Sequence, residues 1–217
     1  MMKSFVITIM DNPQSVKVAE RCIKSAKKVG HVVEKYHAVT PRSEGFMDMV
    51  ESAELNIDQF SSKWSRPENA LACFLSHMSL WKYSILNKCD VMILEHDAVF
   101  TNSVPYIPFD KCVTIGKPSY GRFNTPQTWG VQPLIQKRYF GGAHAYIINP
   151  TGAKKLLDNV SDHSCPTDVY LHTETFPWLQ EFYPWPVSVE DSFSTIQEEA
   201  GCVAKHNYKK GIELIKA

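Results

Sequence analysis

Four consecutive apolar residues, Val91-Met92-Ile93-Leu94, run straight into Glu95-His96-Asp97. A strand with one wet face alternates apolar and polar residues, whereas a strand covered on both faces does not. This run therefore reads as a short central strand of a sheet with helices on either side. The start of the chain agrees. Phe5-Val6-Ile7-Thr8-Ile9 reads as a strand, and Asn12-Pro13 as an N-cap followed by proline in the first helical turn. Val18, Cys22, Ile23 and Ala26 recur at helical spacing, Gly30 is a stop signal, and His31 to Val39 reads as a second strand. A β-α-β opening implies a parallel sheet with a right-handed crossover.

Residues 40–65 read as short helices or a long loop. A helix is expected from Pro67 to Lys88, with Leu71, Phe74, Leu75, Met78, Trp81 and Ile85 as its apolar stripe. Cys112 to Ile115 offers another strand, and Ala143 to Ile148 one more. Between them, residues 116–138 are punctuated by glycines and prolines and read as a long loop, of the kind that is either functional or mobile. Asn149-Pro150 caps a helix through Leu157, and Pro166-Thr167-Asp168 starts a shorter one. Pro184 and Pro186 bracket a strand ending near Val189. The whole, residues 1–217, reads as one domain, with a basic tail from about residue 198 able to fold over a site.

Lys and Arg together number 23, as do Asp and Glu, so no whole-surface attraction draws this chain to nucleic acid or anionic membrane. No window has the length of a membrane span. Met1 to Met10 lacks the basic region and cleavage site of a signal peptide. The cysteines, at 22, 73, 89, 112, 165 and 202, form no C-x-x-C pair and sit largely in apolar patterns. They read as reduced thiols, and the expected compartment is a reducing cytoplasm.

In open α/β sheets, ligands bind beyond the carboxyl ends of the strands. Two acids at i and i+2 on a strand point the same way, so Glu95 and Asp97 can share a hard divalent cation while His96 faces the opposite side. The pair alone is a weak signal, because solvated or lysine-paired acids produce the same pattern. His77 shares a helix face with Cys73 and Leu80, as a hydrogen-bonded core histidine also would. Arg122 and Trp129, with Tyr120 and Phe123, give the long loop a cation and rings that either hold a sugar or pack the loop. Thr8 and Asn12 close the first strand, where a nucleotide would lie, although a helix cap explains Asn12 equally well.

Further segments make the pattern specific. Leu75-Ser76-His77 on the long helix, then Leu94-Glu95-His96-Asp97-Ala98, then Gly142-Ala143-His144-Ala145-Tyr146-Ile147-Ile148 with Gly152-Ala153-Lys154-Lys155-Leu156-Leu157, then Pro166-Thr167-Asp168 and Ser194-Thr195-Ile196 occur in this order. Together they resemble glycosyltransferase family 25, which includes lipopolysaccharide and lipooligosaccharide sugar transferases and collagen galactosyltransferases. The resemblance implies a GT-A type fold, a Rossmann-like α/β/α sandwich with a mixed, mostly parallel sheet. It also implies a UDP-sugar donor, often UDP-galactose, a glycan or glycolipid acceptor, a Mn²⁺ or Mg²⁺ cofactor, and inversion at the anomeric carbon.

On that resemblance Glu95 and Asp97 are metal ligands, and His206 would be a late ligand from the tail. Thr8, Asn12, Ser76, His77, Glu95 and Lys205 are assigned to the donor, and Arg122 and Trp129 to the acceptor. Asp168 is the first choice for general base, with a helix cap as its alternative role, and Asp191 is the second choice. His96 departs from the family, whose motif carries an acid there. If that acid binds metal or ribose, this chain is a non-catalytic nucleotide- or glycan-binding member. A metal-dependent hydrolase on the same kind of sheet is a third reading.

Overall fold

The computed structural model describes residues 2–60, 66–119 and 121–189. Its centre is a seven-stranded sheet. The strands are β1 (Lys3–Thr8), β2 (Glu34–His37), β3 (Val91–Glu95), β5 (Cys112–Thr114), β6 (Gly130–Pro133), β7 (Ala145–Ile148) and β8 (Leu179–Tyr183). Their order is β2-β1-β3-β7-β5-β8-β6. β1 pairs in parallel with β2 and β3, β7 runs antiparallel between β3 and β5, β8 is parallel to β5, and β6 closes the edge antiparallel to β8. Only β7 and β6 thus oppose the other strands. β4 (Ala98–Phe100) pairs with β9 (Val187–Val189) in a separate two-stranded ladder.

Helices cover both faces, as the apolar run requires. Odd-numbered residues of β1 and β3, Phe5, Ile7, Val91 and Ile93, pack in one core with Phe74, Leu75, Met78 and Trp81 of α3 (Pro67–Asn87). Val6, Met92 and Leu94 pack in the other core with Ala19, Cys22 and Ala26 of α1 (Pro13–Lys28). The result is the expected α/β/α sandwich with a mixed sheet. α2 (Phe46–Ser52) and a short 3₁₀ turn (Ile57–Phe60) occupy the stretch read as short helices or loop. α4 (Pro150–Leu157), α5 (Val160–His163) and α6 (Thr167–Tyr170) follow β7.

Three strands went unread in the sequence. β4 begins one residue after Asp97, β8 lies in a stretch given no element, and β6 runs within the region taken as continuous loop. β6 is an edge strand, where Pro133 at its end is tolerated because only one side must donate to the ladder. Among the described residues, no helix is long and apolar enough to cross a membrane.

Candidate functional site

The site forms where α3, the end of β3 and the start of α6 meet. Cys73, His77 and Trp81 stand four residues apart on α3, so they share one face. His77 is fully buried, and its Nδ1 lies 2.8 Å from the Tyr146 hydroxyl of β7. Trp81 donates its indole N–H to the same hydroxyl at 2.8 Å. The imidazole is therefore fixed from two elements, and its Nε2 faces Glu95 Oε1 at 3.4 Å. Burial pushes the His77 pKa down to about 3, against the upward pull of Asp168. The ring is neutral at physiological pH.

Asp168 lies in the single turn of α6. The N-cap position of that helix is Pro166, and no side chain caps it. Asp168 Oδ1 instead accepts the N–H of Val169 at 3.0 Å. Burial pushes its carboxyl up to about 6, while the Val169 N–H and the Lys137 charge pull it down. Such a group is an anion at neutral pH yet takes a proton readily, as a general base must. Beside it, Thr167 Oγ1 lies 3.9 Å from Cys73 Sγ. Burial raises the Cys73 thiol well above its usual range, and Glu95, Asp168 and Asp97 each push it further. Three carboxylates thus act on this thiol, and Asp97 acts on Cys22 of α1 as well.

An open groove of about 1050 Å³ adjoins this pocket, lined by Arg122, Phe123, Lys137, Tyr139 and His172 among others. Its wall is built by a bridge between Tyr139 and His172, whose rings stack 6.4 Å apart, and by the Phe140 N–H donating to the Leu171 carbonyl. Lys137 and Tyr139 also feel the Asp168 charge, which ties the groove to the pocket. Behind it, Gly142 has a φ of +108°, and a Cβ there would lie 2.3 Å from Ser119 Oγ. Only glycine fits that turn. It leads into the buried His144, whose carbonyl accepts the Glu95 N–H at 3.0 Å.

The structure brings together Glu95, His77 and Asp168 from the sequence reading, and places Arg122 on the groove. Asp97 lies near enough to influence Cys73, but His96 and Asp97 form a turn between β3 and β4. The alternation that aligns i and i+2 therefore stops at Glu95. His96 turns toward α1, with its Nδ1 3.0 Å from Ser15 Oγ. Other assigned residues hold the scaffold. Thr8 is buried and donates to the Val6 carbonyl, and Asn12 accepts the N–H groups of Gln14 and Ser15 as the cap of α1. Ser76 accepts the Val39 N–H at 2.8 Å and donates to the Ala72 carbonyl at 2.9 Å. Trp129 is 83% exposed just before β6. Asp191, Lys205 and His206 lie outside the described residues.

Sequence reasoning missed Cys73, Thr167, Lys137 and Tyr139. Cys73 was visible only through its four-residue step to His77. Lys137 and Tyr139 carry no local signal, because a pairing to His172 places them. For an oxygen-preferring ion such as Mn²⁺ or Mg²⁺, the donor type fits, since Glu95 and Asp97 are half-buried carboxylates; Asp97 also acts on Cys22 of α1.

A family model described as glycosyltransferase family 25 (LPS biosynthesis protein) matches residues 1–114. None of the curated proteins compared matches the chain. Among solved structures, it is similar to the CTP:phosphocholine cytidylyltransferase from Streptococcus pneumoniae, at 10% identity and a TM-score of 0.39, over 88% of this chain and 93% of that one.

Proposed function

We propose a sugar-transfer mechanism from one premise: the chain belongs to glycosyltransferase family 25. The donor is a UDP-sugar, and the acceptor is a hydroxyl of a glycan or glycolipid lying in the groove beside Lys137 and Tyr139. The observation that supports this reading is that Asp168, whose carboxyl burial raises to about 6, lies near enough to act on Lys137 and Tyr139 in the lining of that groove. Asp168 accepts the proton of the acceptor hydroxyl. The freed oxygen attacks the anomeric carbon from the face opposite UDP, the bond to the diphosphate breaks, and the sugar inverts. UDP leaves with the electron pair of that bond.

Glu95 and Asp97 would hold a Mn²⁺ or Mg²⁺ ion, which when bound neutralises charge on the leaving diphosphate. His77, neutral and anchored through Tyr146, flanks Glu95 and limits where its carboxylate can point. Lys137, whose pKa burial lowers, sits where it can orient the acceptor and favour the ionised form of Asp168.

The test is UDP release over a panel of UDP-sugars and acceptors, with metal stripped and Mn²⁺ restored. Wild type is expected to turn over only with the metal, and Asp97→Ala to lose at least about a hundredfold while keeping its fold. Full activity in Asp97→Ala would remove the metal assignment.

A further inference from the structure

The mechanism leaves the Cys73 thiol unused. Among the described residues, Cys73 Sγ, a His77 ring nitrogen and a Glu95 carboxylate oxygen all lie within 4.8 Å of one another. His77 Nε2 is buried and makes no hydrogen bond, although it faces Glu95 Oε1 at 3.4 Å. An orphaned nitrogen in a fully buried imidazole requires an explanation, since desolvating it without a partner costs stability.

We propose that Cys73, His77 and Glu95 form a cation site for a borderline-soft divalent ion, Zn²⁺, distinct in donor chemistry from an oxygen-only Mn²⁺ or Mg²⁺ site. The geometry fits. With bonds to nitrogen and oxygen of about 2.1 Å, a tetrahedral zinc sets its N···O edge at about 3.4 Å. The Nε2···Oε1 separation is 3.4 Å before any ion arrives. With a zinc–sulfur bond of about 2.3 Å, the edges from sulfur come to about 3.6 Å. Donors already within 4.8 Å need about 1 Å of movement at most to reach them.

The surroundings are those of a metal-binding histidine. Binding through Nε2 leaves Nδ1 against the Tyr146 hydroxyl at 2.8 Å, the contact that fixes the ring's orientation. Trp81 holds that oxygen from the far side. Cys73 and Glu95 are half-buried while His77 is fully buried, so an ion enters past the thiol and carboxylate and meets the imidazole last. The thiol loses its proton to solvent as the sulfur–metal bond forms. Three protein ligands leave a fourth position open to water or a donor oxygen. The site stands on its own geometry; only the competition it sets up, with Glu95 serving one ion at a time, rests on the glycosyltransferase reading.

The test is Co²⁺ titration of the metal-free full chain, followed by optical absorption. Wild type is expected to bind Co²⁺ with a sulfur-to-cobalt charge-transfer band and the visible bands of a four-coordinate ion, and stoichiometric Zn²⁺ erases both. Cys73→Ser loses the charge-transfer band, whereas Cys89→Ser keeps it. Glu95→Gln, a milder change should Cys73→Ser fail to fold, retains the band but binds Co²⁺ at least tenfold more weakly. No band in wild type, a band surviving in folded Cys73→Ser, or unchanged affinity in Glu95→Gln would each overturn the site. Mn²⁺-supported UDP-sugar turnover on a separate, cobalt-free portion of the same protein separates the two readings. Turnover without the band removes the zinc site alone; the band without turnover counts against the transferase.

Discussion

Glu95 and His96 are neighbours in sequence, yet they serve opposite sides of the sheet. Glu95, in register with the apolar residues that face α3, meets His77 and lies in the pocket with Asp168. His96, in the turn after β3, meets α1 and shares the Ser15 hydroxyl, which itself accepts the Ile9 N–H at 3.0 Å. One side is a set of acids around a thiol and an orphaned nitrogen. The other is a closed chain of hydrogen bonds that pins the start of α1 to the ends of β1 and β3. The departure from the family motif therefore falls on the structural side. A histidine there reaches a hydroxyl that a short acid would meet differently, and the residues facing the groove are untouched.

Variants on the two sides should behave differently, and the largest effect belongs to Asp168. Asp168→Asn keeps the shape and removes the base, so UDP release is expected to fall by about 10²–10⁴-fold. Stability should move the other way. A carboxyl whose folded pKa is raised contributes stability only while protonated, and that contribution is lost as pH rises through about 6. The amide is free of this loss, so the variant should melt a few degrees higher at neutral pH, measured by calorimetry.

Next comes His77→Ala, which strips a buried partner from Tyr146 and leaves a void beside Trp81. Urea unfolding is expected to show a loss of about 2–4 kcal/mol. An unchanged midpoint would mean that the imidazole does not hold this junction. The smallest effect is expected for His96→Ala. It removes one half-buried hydrogen bond to Ser15, about 0.5–1.5 kcal/mol, and should leave turnover within about twofold of wild type. A collapse of turnover in that variant, with the fold kept, would erase the contrast between the two sides.

Much of this was legible because it rests on local pattern. The apolar run of β3, the Asn12-Pro13 cap and the long stripe of α3 follow from residue type and spacing alone, and each lies where the chain implied. β8 was not legible, since Gln180 and Glu181 interrupt it. The structure shows why the acid is tolerated: Glu181 is fully buried, and its Oε1 accepts the N–H groups of Ile135 and Gln136 at 2.6 and 2.8 Å. A buried carboxylate there does the work of a neighbouring backbone carbonyl. The site divides in the same way. Glu95 and Asp168 were found through motif order, whereas Lys137 and Tyr139 depend on the pairing with His172, a contact across the chain that no short window encodes.

The pH dependence of UDP-sugar turnover, measured on wild type and Asp168→Asn side by side, decides whether Asp168 is the base. Wild-type kcat/KM is expected to climb with pH and to level off above about 6, as Asp168 ionises. In Asp168→Asn the residual rate should no longer show that limb. A variant with the wild-type rate and an unshifted limb near 6 would contradict the assignment of Asp168 as the base.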